Sequence, residues 1–375
     1  QILSTENGST ACLDLALKRS DFARKLQQAS RGRLRKGQTK FYGIGLSFFA
    51  HGAAFTGDGE AKFKAKGRME LALLDDGNPG VNIRVSSTEM GQGVHTIFTQ
   101  IAADALSLDP ARIRYPMADT GLVPNSGPTV ASRTTMVVGN VVHRASQDLK
   151  SQIEAFASLR FFRGEKSVLK NSQLTAKGRK PVAFAKVARA MLDELGDVNG
   201  FFEFRLPPDT RWDQATFKGD SYPGYSWSAN VAEIEIDPLT CELAVTRVTA
   251  VVDVGRIINP ILAAGQVEGG LTQALGYAVM EKIATGKNGL YDASRLQTYI
   301  IPTALDVPKY DVKFVEYPYS YAPPGGKGLG ELPMDGLAPA IANAVEAAVG
   351  KRLRTIPITP EALFEALHPA PGGTP

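Results

Sequence analysis

The sequence predicts an α+β fold, mixed sheets and hairpins packed with helices. Two hairpin patterns, each closed by turn residues, are separated and followed by long helical patterns. A composition of 43% hydrophobic and 21% charged residues over 375 positions is that of a globular chain with ample core.

The elements are expected in the following order. Residues 12–30 place Leu13, Leu15, Leu17, Phe22 and Leu26 at loosely helical spacing, ended by Gly32 and Gly37. FYGIGLSFFAHGAAF, from Phe41, is apolar, Gly-punctuated and strand-like. MELALLDDGNPGVNIRVSS reads as two strands around a turn at residues 76–80. After Gly91-Gln92-Gly93 a helix carries Ile97, Ile101 and Ala105. A short strand, RIRYPMAD, leads to the loop TGLVPNSGPTVASRTTM and a helix around Val137–Phe156. Residues 158–230 hold a basic stretch, a helix near 182–195 and an aromatic, Pro-rich segment. A second hairpin spans 230–254, turning at Pro238-Leu239-Thr240. Asn259-Pro260 is a turn signal before the helix GQVEGGLTQALGYAVME, and a strand follows at 306–316. PPGGKGLGELP is a loop, APAIANAVEAAVG a small-residue helix, and PITPEALFEAL a short helix capped by Thr359. The tail PAPGGTP reads as frayed. This divides the chain into an N-terminal helix and linker (1–40), a first lobe (41–220) and a second lobe (221–375) carrying the Gly-rich loop of Glu331.

A net charge of +4 is modest and does not argue for nucleic acid, whose partners usually show a concentrated basic face. The basic run from Arg19 to Lys40 reads as a solvated helix and linker. Cys12 and Cys241 are far apart, so neither an iron–sulfur cluster nor a zinc site can be built from them alone. So few cysteines fit a reducing, cytoplasmic compartment better than a disulfide framework. No stretch approaches 18 apolar residues, so no membrane span is expected. The chain opens on Gln1 in polar sequence, read as the internal start of a longer polypeptide or of a mature chain after cleavage.

Four segments carry chemistry. With 37 glycines, isolated G-x-G patterns say little, so order and spacing matter more. Glu89-Met90-Gly91-Gln92-Gly93-Val94-His95-Thr96 places a carboxamide between glycines at a helix start, which suits a polar or polyanionic ligand; a tight turn would satisfy the same pattern. Pro124 to Thr135, PNSGPTVASRTT, offers approachable backbone N–H groups, the hydroxyls of Ser132, Thr134 and Thr135, and the charge of Arg133. That is phosphate-cradling chemistry, or else a Ser/Thr-rich cap. Asp253-Val254-Gly255-Arg256-Ile257-Ile258-Asn259-Pro260 followed by Gly265-Gln266-Val267-Glu268-Gly269-Gly270 sets a second glutamine in a Gly-rich helix start. Gly269 and Gly270 there read best as helix-packing glycines. Gly325-Gly326-Lys327-Gly328-Leu329-Gly330-Glu331-Leu332-Pro333 sets a carboxylate in a loop able to press against a ligand, or a flexible surface loop. It lacks the G-x-x-x-x-G-K-[ST] pattern of a P-loop.

In this order and spacing, EMGQGVHT, VPNSGPTVAS, DVGRIINP…GQVEGG and GGKGLGE…PAIANAVEAA resemble the second molybdopterin-binding region of the xanthine dehydrogenase / aldehyde oxidase family, over roughly residues 40–145 and 220–365. The resemblance implies a xanthine dehydrogenase-type molybdopterin-binding domain and a molybdenum–molybdopterin cofactor. Gln92, between Gly91 and Gly93, resembles the glutamine at the metal end, and Gln266 a second pterin-contacting glutamine. Ala131, Ser132, Arg133 and Thr134 resemble the cradle for the cofactor's phosphates. The Ser-Arg-Thr-Thr texture is similar to bacterial members using the cytosine dinucleotide form. Phe55 falls where the family often places an aromatic beside the substrate, and Glu331 resembles the catalytic glutamate. No protein side chain is expected to ligate the metal directly. Lys327 is expected to point away from Glu331, and burial beside an apolar pocket to raise the proton affinity of Glu331 toward the working range.

The family's first molybdopterin region, with its Gly-Gly-Phe-Gly-Gly-Lys-like and Arg-Gly-Phe-Gly-like segments, has no counterpart here. Nor do Cys-rich iron–sulfur modules or an FAD domain. The resemblance therefore implies partner chains or domains carrying that region, the iron–sulfur clusters and FAD. The implied reaction is oxidative hydroxylation of an N-heterocycle or aldehyde, a small-molecule substrate, with oxygen from water. Two alternatives keep the cofactor and change the reaction, to a carbon monoxide dehydrogenase or a reductive dehydroxylase. A third is a non-catalytic subunit closing the pterin site, which a carboxylate in the Gly-rich loop argues against. A generic nucleotide-binding module is disfavoured by the missing fingerprints.

Overall fold

A computed structural model describes residues 7–368 except 292 and 296, so the first six residues and the tail PAPGGTP lie outside the described residues. In chain order come α1 (Ser9–Ser20), α2 (Phe22–Gln28), β1 (Phe41–Ala53), α3 (Gly59–Phe63), β2 (Lys66–Leu73), β3 (Pro79–Arg84), α4 (Val94–Leu106) and β4 (Ile113–Arg114). Next are α5 (Gly139–Arg160), β5 (Ser167–Lys170), β6 (Gln173–Ala176), β7 (Val182–Ala183), α6 (Phe184–Leu195), β8 (Val198–Glu203), β9 (Trp212–Asp213) and β10 (Lys218–Gly219). The chain continues with β11 (Gly224–Ile236), β12 (Leu243–Asp253), α7 (Pro260–Val279), β13 (Lys309–Val315), α8 (Leu332–Val349) and α9 (Pro360–Leu367).

Two four-stranded sheets organise these elements. One has the order β1-β11-β12-β13, antiparallel except for the β12–β13 pair, and the other the order β4-β3-β2-β8. β1 lies in the sequence expected for the first lobe, yet it pairs along its whole length with β11. The first sheet buries one face against α7 and α8, around Ile234, Val248, Leu271 and Leu337, and the other against α1 through Cys12 and Ala16. The second sheet packs on α4, α5 and α6 around Met69, Phe98, Leu149 and Val187. A smaller cluster including Ala53, Met136, Val141 and Tyr319 lies apart from these two cores.

The Gly-x-Gly of β1 explains how closely α8 lies on the sheet. A Cβ at Gly43 would stand 2.1 Å from the Ala344 carbonyl oxygen, and one at Gly45 2.2 Å from that of Ala340. These glycines are therefore packing residues, and they seat the helix whose first turn follows Glu331. On its inner face Leu337, Ile341 and Val345 are fully buried, each stabilising the packing by about 1.5–3 kcal/mol.

Several boundaries differ from expectation for identifiable reasons. The first helical pattern is two helices, because Asp21 takes a left-handed conformation between them. The helix expected at 265 starts at Pro260, because the Asn259 side chain accepts from the N–H groups of Ile261 and Leu262. Likewise α8 starts at Leu332, with Pro333 in its first turn, and it accommodates Pro339 internally. The α5 helix is preceded by a π-turn at Thr134–Val138. Residues 158–230 supply β5–β10 and α6. Among the described residues no helix is long and apolar enough to cross a membrane.

Candidate functional site

A cleft of about 410 Å³ opens where four connections converge, within the range of small-molecule sites. The approach to α4 contributes Gln92, and the loop before α5 contributes Ala131, Ser132, Thr134 and Thr135. The β12–α7 connection and the first turns of α7 contribute Arg256, Asn259 and Gln266, and the Gly-rich loop contributes Lys327 and Glu331. Hydroxyls and carboxamides alternate with Ile97, Ile257, Ile258 and Leu262, so the lining is apolar with a few polar groups.

The Gly-rich loop is fixed rather than floppy. Gly326 bridges to Gly255, the Lys327 N–H donates to the Val254 carbonyl at 2.7 Å, and Ser226 Oγ donates to the Gly328 carbonyl at 2.6 Å. Lys327 points away from Glu331, as expected. Its ammonium, 2% exposed, pairs at 2.9 Å with the fully buried Asp253, which also accepts from the N–H groups of Gly8 and Gly255.

The loop before α5 is held against its own preference. Ala131 and Ser132 have φ of 55° and 50°, a left-handed geometry costing about 1–2 kcal/mol each. The Ala54 N–H donates to the Ala131 carbonyl at 2.8 Å. Ser132 Oγ donates to Glu331 Oε2 at 2.7 Å and accepts from the Glu331 N–H at 3.0 Å. Arg133 is the strut: its guanidinium, fully buried, pairs with the equally buried Glu60 and donates to the carbonyls of Ser126 and Pro128. The expectation that Arg133 lends its charge to a ligand is thus corrected. That charge is spent inside the protein, and the residue does not line the cleft. The cation reaching the cleft from the β12–α7 side is Arg256, half-exposed and 3.7 Å from Asp104.

The other expected residues are placed as follows. Gln92 borders the cleft, but its Oε1 accepts from the Met90 N–H and its Nε2 donates to the Thr88 carbonyl, both at 2.7 Å. One amide proton and one lone pair remain for a ligand. Gly93 caps α4 at φ 86° and Gly91 is exposed at φ 104°. The helix start offers less to an anion than the motif suggested, because Glu89 accepts there from the N–H groups of Gly91, Gly93 and His95. Although burial opposes it, those donors hold the Glu89 carboxyl below its ordinary value. Gln266 lines the cleft from the second turn of α7, not from its start. Phe55 is a correction: after Ala54, at φ 73°, the chain folds back into α3 and the Phe55 ring sits 4.6 Å from that of Phe63, outside the cleft lining. Glu331 stands at the cleft as the residue before α8, yet its side chain is 56% exposed, so this chain by itself does not supply the expected burial.

Sequence reasoning missed His51 and Asp335. His51 Nδ1 lies 2.7 Å from Asp335 Oδ2, and Nε2 lies 3.5 Å from Glu331 Oε2. The signals were a histidine inside an apolar strand pattern and an acid four residues after Glu331, one helical turn on.

Residues 15–308 match the family model described as molybdopterin cofactor-binding domain. The chain is 28% identical over 302 residues to the putative xanthine dehydrogenase molybdenum-binding subunit of Escherichia coli strain K12, covering 80% of this chain and 39% of that protein. It is 26% identical over 338 residues to the nicotine 6-hydroxylase large subunit of Paenarthrobacter nicotinovorans, covering 87% and 40%. Its fold resembles quinoline 2-oxidoreductase from Pseudomonas putida 86, with a TM-score of 0.81 at 24% identity over 97% of this chain and 46% of that one. The chain spans about two fifths of the length of these curated relatives. With four motifs meeting at one cleft and a family match over most of its length, the chain belongs to the molybdopterin cofactor-binding domain family of the xanthine dehydrogenase-type molybdenum hydroxylases.

Proposed function

We propose that the cleft holds part of a molybdenum–molybdopterin cofactor and that Glu331 is the base of a hydroxylation carried out by a larger assembly. The observation that carries this reading is the Ser132–Glu331 hydrogen bond at the cleft, 2.7 Å long, which joins the strained cradle to the Gly-rich loop. The donor set suits the cofactor: the hydroxyls of Ser132, Thr134 and Thr135 suit phosphate, the carboxamides of Gln92 and Gln266 suit a pterin edge, and Ile257, Ile258 and Leu262 suit a ring face. Arg256 is the cation we assign to phosphate, in the dinucleotide form or the simpler one, in place of Arg133.

When bound, the cofactor supplies the two-electron redox chemistry. The chain's residues orient and move a proton. Ser132 holds Oε2 of Glu331, and the carboxylate accepts the proton at Oε1. The exposed Met90 and Val130 at the cleft, 65% and 53% exposed, support a partner chain or domain that closes the site and carries the first molybdopterin region. Iron–sulfur and flavin carriers belong to the same assembly. Two similar proteins are named for nicotine and quinoline, which supports an N-heterocycle as substrate, with an aldehyde as the other class. Free, buried Cys12 and Cys241 support a reducing, cytoplasmic setting. The test is molybdenum and pterin content of the assembled enzyme. Gln266→Ala is expected to lower both, and unchanged content would remove Gln266 from the site.

A further inference from the structure

We propose that His51, fixed by Asp335, is a positioning residue that holds the Glu331 carboxylate in place and turned toward Ser132. The inference rests on the reading of Glu331 as the base. His51 lies near the end of β1 with its side chain 19% exposed. Asp335 and Glu331 are one turn apart on α8 and the residue before it, so their carboxylates bracket the imidazole on its two nitrogens. Nε2 stands 3.5 Å from both Glu331 Oε2 and Ser132 Oγ, close enough that a small rotation makes either hydrogen bond.

The arrangement links two protonation states. As an imidazolium, His51 donates a hydrogen bond from Nδ1–H to Asp335 and presents an Nε2–H to the Glu331 oxygen that Ser132 already holds. As a neutral imidazole with its proton on Nδ1, it presents only a lone pair there, and the support is gone. The groups facing the ring are Asp335 and Glu331 from the α8 side, Ser132 from the loop before α5, and Ser226 opposite it on β11. Ser226 does not titrate in this range and spends its hydroxyl on the Gly328 carbonyl. The Asp335 hydrogen bond holds the imidazole above its ordinary value against the effect of burial, with Glu331 acting in the same direction. A purely structural Asp–His contact would need only Nδ1; here the second nitrogen is aimed at the base.

The chain has four histidines, so NMR titration of the full chain resolves His51, assigned by its loss in His51→Gln. Asp335→Asn is expected to move its titration midpoint down, and Glu331→Gln to move it down by less. In the assembled enzyme, Asp335→Asn is expected to move the alkaline limb of kcat/KM to lower pH by the shift that NMR records. His51→Gln is expected to abolish that limb and lower kcat about 10-fold or more, with molybdenum and pterin content unchanged. A His51 midpoint indifferent to Glu331→Gln, or an alkaline limb that stays in place in Asp335→Asn, overturns the proposal. Since Asp335 is at the surface of the first turn of α8, the second arm does not depend on how well His51→Gln folds. Full turnover in Glu331→Gln would instead strike the base reading, whatever the NMR shows.

Discussion

Replacing Glu60 by glutamine isolates the strut beneath the cradle. Glu60 and Arg133 are both fully buried, and the guanidinium meets the carboxylate through Nε at 2.9 Å and through a second nitrogen. Glu60→Gln keeps the size and one acceptor oxygen but removes the countercharge and turns an amide donor toward a group that can only donate. The bonds from Arg133 to the carbonyls of Ser126 and Pro128 remain, so the loss is that of breaking a buried pair, about 3–5 kcal/mol. That is a large share of the ~5–15 kcal/mol that stabilises a typical domain. The damage is expected first in residues 125–133, where Ala131 and Ser132 carry left-handed strain. In denaturant titration the midpoint should fall with little change in slope. Hydrogen exchange in this loop should rise, and the assembled enzyme should retain less pterin. The paired change Glu60→Leu with Arg133→Met should recover much of the stability, because neither charge is then left alone. A Glu60→Gln protein within about 0.5 kcal/mol of wild type would refute the strut.

Gly45→Ala should cost about 1–3 kcal/mol, because the new Cβ meets the backbone of α8 at Ala340 and Ala344, which cannot rotate away; an unchanged denaturation midpoint would show that α8 is not seated as described. The folded-state pKa of His51 is raised, so its contribution to stability is fully present below the unfolded value and is lost as pH rises through the folded one. Asp335→Asn should flatten that decline in a pH series of denaturation midpoints, and an unaltered series would contradict the pairing.

Much of this was legible because the informative residues are local. The hairpins, the helix after Gly93 and the Thr359 cap each announce themselves within a few positions. The segments around Gln92, Ser132, Gln266 and Glu331 could be named from motif order, and the fold brings them to one cleft. What was illegible depends on distant partners. Nothing near Arg133 in sequence reveals Glu60, 73 residues earlier, so its charge read as a ligand's when it belongs to the core. Phe55 read as a pocket residue because the fold-back onto Phe63 depends on the turn at Ala54. The start of α7 is hidden because Asn259-Pro260 serves equally as a turn and as a cap with proline in the first turn. The exposure of Glu331 depends on how distant loops pack around the cleft, which no local pattern reports.

The most direct test of the account is turnover and cofactor content of Glu331→Gln in the assembled enzyme. The substitution keeps shape and leaves Ser132 a hydrogen-bonding partner, but it removes the proton acceptor. Turnover should fall by at least ~10², the loss expected for a general base, while molybdenum and pterin stay at the wild-type level. Near-normal turnover with full cofactor would contradict the assignment and return the Gly-rich loop to a role in closing the pterin site.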